Sequence, residues 1–349
     1  MKTKVVRLSE KNLDESAIKD AGKIIKGGGL VAFPTETVYG LGANALDPEA
    51  VTKIFIAKGR PQDNPLIIHV ADYDIDSYVK NVPGVAREII KKFWPGPITI
   101  ILEKTDLIPN ETSANLSTVG IRMPENNIAR SLIKAAGVPI AAPSANISGK
   151  PSPTDMESCI EDLNGKIDCI LGGENSVVGM ESTIVDCTTT PTCILRPGAI
   201  TLEMLKEIDS GTYIDKSVLS KPKEDFKPKA PGMKYRHYAP KSPVKIVQGD
   251  INKVIAKINE MVLNYSKQGK RVGIIATDET EGLYKNATIV SLGARSCMDD
   301  VGKNLFRVLR GFDALDIDII LCEAFEEVGV GMAIMNRLKK SAGFDILEI

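Results

Sequence analysis

Between residues 221 and 241 the chain carries four prolines, seven lysines and arginines, and two acids. Proline fixes φ and removes a backbone donor, so this stretch is neither helix nor central strand. Any compact fold has to stop before it and start again after it. A length of 349 residues favours two domains on the same grounds. The expected organisation is a first domain over 1–210, a linker over 211–243 and a second domain over 244–349. A plain spacer has no need of Tyr235, His237 and Tyr238 interleaved with Lys234 and Arg236. That composition suits a loop that covers a ligand site, and equally a semi-rigid spacer packed on one domain.

The two flanks have different patterns. Before the linker, short apolar runs at 30–33, 66–70, 98–102, 119–123, 138–142, 169–171 and 183–187 read as strands. Helical spacing appears at 50–57, 85–93 and 127–136. So many strands with few helices imply a mixed α/β domain around a twisted sheet. After the linker, strands at 244–247, 271–276, 287–290 and 317–322 alternate with helices at 251–265, 298–312 and 333–340. This order implies a small, mostly parallel sheet covered by helices. It lacks G-x-G-x-x-G after its first strand, so the dinucleotide fingerprint is absent.

Composition narrows the functional classes. The chain is 43% hydrophobic and 26% charged, as globular proteins are, and its formal charge of −1 gives no global pull toward nucleic acid or acidic membrane. No apolar run approaches the ~20 residues that span a bilayer, so no membrane partner is expected. Met1-Lys2-Thr3-Lys4 leads into no apolar segment, which suggests a cytoplasmic protein without a secretory signal. Six cysteines include no C-x-x-C pair and neither His69 nor His237 adjoins one, so no structural metal is expected. Cys187 and Cys193 flank an apparent hairpin turn. A disulfide there is conceivable, although buried reduced thiols suit a cytosolic chain better.

Four polar clusters of the first domain are expected to follow strands, where open sheets place their ligand crevices. Pro34-Thr35-Glu36-Thr37-Val38-Tyr39-Gly40-Leu41-Gly42 offers hydroxyls and close backbone approach. In Lys58-Gly59-Arg60-Pro61-Gln62-Asp63-Asn64-Pro65, the glycine and prolines argue for an extended segment. Lys58 and Arg60 would then point the same way and clamp a triphosphate. His69 ends the next strand and could line the same crevice. A third cluster, Pro143-Ser144-Ala145-Asn146-Ile147-Ser148-Gly149, closes the 138–142 strand, and a fourth pairs Ser182-Thr183 with Arg196-Pro197-Gly198. No G-x-x-x-x-G-K-[ST] loop and no G-x-S-x-G elbow is present.

Taken together, Pro34–Leu41, Lys58-Gly59-Arg60, Gly120-Ile121-Arg122-Met123-Pro124, Ser144-Ala145-Asn146 and Arg196-Pro197-Gly198 resemble the YrdC-type threonylcarbamoyl-AMP synthases. The linker run Pro231-Gly232-Met233-Lys234-Tyr235-Arg236-His237-Tyr238-Ala239-Pro240 is similar to the signature of the long form, which adds a Rossmann-like C-terminal domain. The resemblance implies condensation of L-threonine, bicarbonate and ATP, with Mg2+ on the phosphates, to threonylcarbamoyl-AMP and pyrophosphate. A partner transferase would then carry the threonylcarbamoyl group to a tRNA adenosine.

The resemblance also implies site residues. ATP would be held by Arg60, Asn64, Thr118, Ser144, Ser152, Arg196 and Tyr235, with Lys58 near the phosphates and Lys58 and Arg60 as the catalytic cations. Threonine would be held by Thr37, His69, Arg122, Ala142 and Ser182, and Asn146 and His237 stand close behind. A rival from another class is a module that binds tRNA or double-stranded RNA through Lys58, Arg60 and the linker. It predicts affinity that collapses with salt and no pyrophosphate release.

Overall fold

The alternating runs before the linker assemble into one mixed sheet, seen here in a computed structural model that describes residues 2–221, 228–233 and 237–349. Contacts divide the chain into two units, Met1–Ser148 with Ser152–Tyr235, and Gly149–Pro151 with Arg236–Ile349. In chain order the strands of the first unit are β1 (Lys4–Arg7), β2 (Val31–Phe33), β3 (Gly40–Asn44), β4 (Ile67–His69), β5 (Ile98–Glu103) and β6 (Thr118–Arg122). They continue as β7 (Ile140–Ala141), β8 (Cys169–Gly172), β9 (Thr183–Asp186), β10 (Cys193–Arg196) and β11 (Tyr213–Ile214). Their spatial order is β1-β8-β2-β3-β7-β4-β6-β5-β9-β10-β11.

Helices α1 (Glu15–Lys26), α2 (Pro48–Lys58), α3 (Gly84–Phe93), α4 (Asn110–Ser113), α5 (Asn127–Ala136), α6 (Met156–Leu163), α7 (Leu202–Lys206) and α8 (Lys216–Leu219) complete this unit. Local chemistry sets their ends. Asp14, Asp47 and Asn126 each accept a first-turn N–H, and Gly59 and Gly137 close α2 and α5 in the left-handed region. Regular structure runs past 210, because β11 pairs with β10 and α8 follows it.

Side chains alternate across each strand, which gives the sheet two different faces. Ile68, Ile100, Ile121 and Val185 point to one face and join residues of α2, α3 and α6 in the main core. On the opposite face α1 and α5 cover β2, β7 and β8, burying Ile18, Ile25, Val31, Phe33, Leu132 and Ile140. These helices touch at Gly22, where a Cβ would lie 2.7 Å from the backbone carbon of Ala135. Further along that face, Ile67, Ile101, Ile184 and Leu195 are covered by Ala230 and Met233, 0% and 4% exposed. The segment 228–233 is therefore packed on the first unit. Cys187 and Cys193 do not bond: the register sets Cys193 opposite Asp186, and both thiols are free and buried.

The second unit carries β12 (Val244–Gln248), α9 (Ile251–Lys267), β13 (Val272–Ala276), β14 (Thr288–Ser291), α10 (Met298–Gly311), β15 (Ile319–Glu323), α11 (Val330–Ser341) and β16 (Ile346–Glu348). Its strands are all parallel in the order β14-β13-β15-β12-β16. Every residue of β13 and β15 is buried, as parallel strands covered on both faces require.

Candidate active site

The parallel pair β4 and β6 organises the site, with His69 opposite Arg122 at its carboxyl end. The antiparallel register of β5 and β6 continues this row to Thr99, and β5 pairs Thr99 with Ile184 of β9. His69, Arg122 and Thr99 therefore share the sheet face opposite the main core. Ser182, just before β9, bonds to the Thr99 hydroxyl at 2.8 Å. Arg196, at the end of β10, donates from Nε to the Ser182 carbonyl at 3.0 Å and from Nη2 to its Oγ at 3.1 Å.

Arg122 is the most constrained group of the row. Its Nε donates to the Gly96 carbonyl at 3.3 Å, Nη1 to Thr37 Oγ1 at 2.8 Å and Nη2 to Glu36 Oε1 at 2.6 Å. The Thr35–Thr37 turn that presents these acceptors is fixed by Thr35, whose hydroxyl donates to the Val38 carbonyl at 2.6 Å and receives the Thr37 and Val38 N–H groups. Next to Arg122, His69 is 4% exposed, packs edge-on to Phe33 at 6.2 Å, and leaves Nδ1 without a partner. Burial, helped by the Arg122 charge, lowers its pKa to about 3, so the imidazole is neutral near pH 7.

A second group gathers at the amino end of the β4/β6 pair. Thr118 is the first residue of β6, and β6 runs five residues to Arg122, about 13 Å at ~3.3 Å per residue. Asn64, 1% exposed, precedes β4 at the same end, and Arg60 Nη2 donates to the Asn64 and Pro65 carbonyls at 3.5 and 3.4 Å. Ser144 bridges to Gly40, and Ala145 N–H donates to the Tyr39 carbonyl at 2.8 Å, so the Ser144–Asn146 loop lies along the first polar cluster.

Lys58 does not lie in the extended segment expected from the sequence. It is the last residue of α2, Gly59 follows with φ of 61°, and the two-apart argument for Lys58 and Arg60 fails. Pro61 and Pro65 fall after the helix end and so leave the last turn intact. Lys58 is 2% exposed, and its Nζ donates to the Ser144 carbonyl at 2.5 Å and to the Asn146 carbonyl. In this state its ammonium pins the Ser144–Asn146 loop.

The remaining expected residues divide between these ends. Thr37, His69, Arg122 and Ser182 come together, and Arg196, expected with ATP, joins them through Ser182. Ser152 Oγ donates to Glu181 Oε1 at 2.6 Å, next to Ser182 in the chain. The Ala142 N–H is committed to the Ile67 carbonyl at 2.9 Å, midway between the two ends. Tyr235 lies outside the described residues. Three buried polar residues of the site, Glu36, Thr99 and Glu181, take no role in the reading of the sequence alone. A threonine inside an apolar strand and an acid between two threonines are the signals that point to the first two.

Comparison with known proteins identifies the family. Residues 23–198 match the family model Sua5–YciO–YrdC, described as telomere recombination. Residues 200–343 match the C-terminal domain of threonylcarbamoyl-AMP synthase. The chain is 45% identical to the threonylcarbamoyl-AMP synthase of Pyrococcus abyssi over 348 residues, 99% of this chain and 100% of that one. It is 44% identical to that of Bacillus subtilis over 353 residues, covering both completely. A crystal structure of P. abyssi Sua5 complexed with L-threonine superposes with a TM-score of 0.94 at 44% identity, covering 99% of this chain and 100% of that one.

Proposed function

This chain belongs to the Sua5–YciO–YrdC family, in the long form with the threonylcarbamoyl-AMP synthase C-terminal domain, and on that premise we propose how its site performs the family reaction. The enzyme is a threonylcarbamoyl-AMP synthase, a transferase that forms an adenylate. The threonine ammonium gives up a proton, and the resulting amine bonds to the carbon of bicarbonate with loss of water, which gives a carbamate. A carbamate oxygen then bonds to the α-phosphorus of ATP, the bond to the β-phosphate oxygen breaks, and pyrophosphate leaves. Such a step needs positioning and charge neutralisation above all.

The observation that carries this reading is the buried Arg122, held on three partners at one end of a strand pair whose other end gathers Arg60, Asn64 and Thr118. Arg122 matches a carboxylate through a bidentate fork, with Thr37, His69, Ser182 and the Ala142 backbone around the rest of threonine. Arg60, Asn64, Thr118, Ser144, Ser152 and Arg196 hold ATP, and Lys58 keeps the Ser144–Asn146 loop under the phosphates. Mg2+ would come with the triphosphate and supply charge neutralisation there. The product is an activated carbamoyl donor, consumed by a transferase acting on a tRNA adenosine.

Pyrophosphate release with each substrate omitted in turn tests the reading. Full release should require threonine, bicarbonate and ATP together. Release that ignores threonine would make the chain an ATP-hydrolysing enzyme of another kind.

A further inference from the structure

Glu36 sits in the first polar cluster, and its carboxylate is buried opposite the Arg122 guanidinium, with side chains 4% and 5% exposed. Both oxygens are used: Oε1 accepts from Arg122 Nη2 at 2.6 Å, and Oε2 accepts the Glu125 N–H at 3.1 Å. The backbone is fixed as well, since the Glu36 carbonyl accepts the Val178 N–H at 2.8 Å. The carboxylate therefore cannot swing without breaking its contacts to Arg122 and to the Glu125 backbone.

This arrangement sets the direction and charge of the guanidinium. An arginine has five N–H groups. In Arg122 one goes to Gly96, one to Thr37 and one to Glu36, which leaves two for a ligand. With three donors tied to rigid acceptors, those two are aimed before any ligand arrives. A buried cation without its partner would be costly, so Glu36 also keeps the empty site near neutral.

We infer that Glu36 is a positioning residue for the amino-acid substrate: it holds Arg122 in the orientation that receives the carboxylate. The inference rests on the threonine-binding role proposed above for Arg122. It predicts a larger effect on threonine than on ATP, because the Glu36 carboxylate bonds to Arg122 and the Glu125 N–H and to none of the residues proposed for ATP, whereas Arg196 joins this end through Ser182. A residue that only holds the fold would affect ATP and threonine alike.

The test uses the full chain with Glu36→Gln and Glu36→Ala, each checked for a native melting profile. Threonine and ATP binding are titrated calorimetrically, and steady-state constants come from pyrophosphate release. Glu36→Ala should weaken threonine binding and raise its KM at least tenfold. The KM for ATP should stay within twofold, and kcat at saturating threonine should fall no more than about threefold. Glu36→Gln keeps an acceptor oxygen facing Nη2 and should recover part of the threonine affinity. If wild type binds threonine and both variants bind it equally well, the inference is overturned alone. It is overturned in the same way if threonine and ATP affinities fall together. A wild type that binds no threonine overturns the functional reading and this inference with it.

Discussion

Arg196 and Arg60 are both expected to touch phosphate, but the structure holds them differently. Arg196 is 5% exposed and donates twice to Ser182, whereas Arg60 is half-buried with long contacts of 3.4 and 3.5 Å. Replacing either with alanine should cut adenylate formation at least tenfold, since a charge-assisted contact is worth ~1.5–3 kcal/mol. Only Arg196→Ala should also lower the melting temperature, because it strands the buried Ser182 carbonyl. Parallel pyrophosphate and melting measurements separate the two. His69 gives a pH prediction. Its folded pKa, about 3, lies below the ordinary 6.5, so the unfolded chain binds the extra proton between these values. Its contribution to stability is complete above about pH 6.5 and is lost as pH falls toward 3, with a slope approaching ~1.4 kcal/mol per pH unit. Denaturant titrations at pH 7.5 and 5 should show a smaller loss in His69→Gln than in wild type. An equal loss in both would place the acid sensitivity elsewhere. Side-chain choice is a third residue-level outcome. One methyl is worth only ~1–3 kcal/mol, so serine should turn over slowly, and valine, lacking the hydroxyl, should fare worse. Equal rates for serine, threonine and valine would mean that the pocket reads neither group.

Among the elements, the segment 228–233 has the most direct bearing on the site. Ala230 and Met233 cover Ile67, Ile101 and Ile184, which share a sheet face with His69, Thr99 and Ser182. We propose that residues 231–240 act as a lid over the ATP site, with this packed segment as its anchor. Met233→Asp in the full chain should then reduce pyrophosphate release and weaken ATP binding, because a charge cannot sit in that apolar contact. Truncations after residues 220, 240 and 349 make the same comparison by deletion. If the folded 220 and 240 forms turn over alike, the segment is a spacer. The legibility of the sequence also differs by element. Runs such as 30–33 and 98–102, and the helical spacing of α3 and α5, carry their periodicity in consecutive residues, and they form as the pattern implies. β3 (Gly40–Asn44) escapes that pattern, since two of its five residues are glycine and its polar neighbours read as a turn. The helical setting of Lys58 escapes for a related reason: a helix tolerates Gly59 and Pro61 once they lie past its end. Glu36 and Arg122 are 86 residues apart, and only the register of the folded sheet brings that carboxylate to that guanidinium.

For the whole molecule, the two family matches meet between residues 198 and 200, while the contact boundary falls later, so the last stretch of the first unit belongs in sequence to the domain that follows. The expected division at 210 and 243 stands as a proposal. Strand order has a further consequence, for the order of events during synthesis. β12 opens the second unit, yet its neighbours are β15 and β16, which come near the end of the chain. At ~5–20 residues per second, the ribosome needs about 4–15 s to travel from Val244 to Ile319. In the first unit, β1 waits for β8 from Lys4 to Cys169, about 8–33 s. Both opening strands thus exist for seconds without a template, and β12, whose Val244, Ile246 and Val247 end up buried, is the one that most needs a chaperone meanwhile. Ribosome-bound chains arrested before residue 319 should leave residues 244–248 open to protease, and protection at that length would show that another partner shelters the strand first.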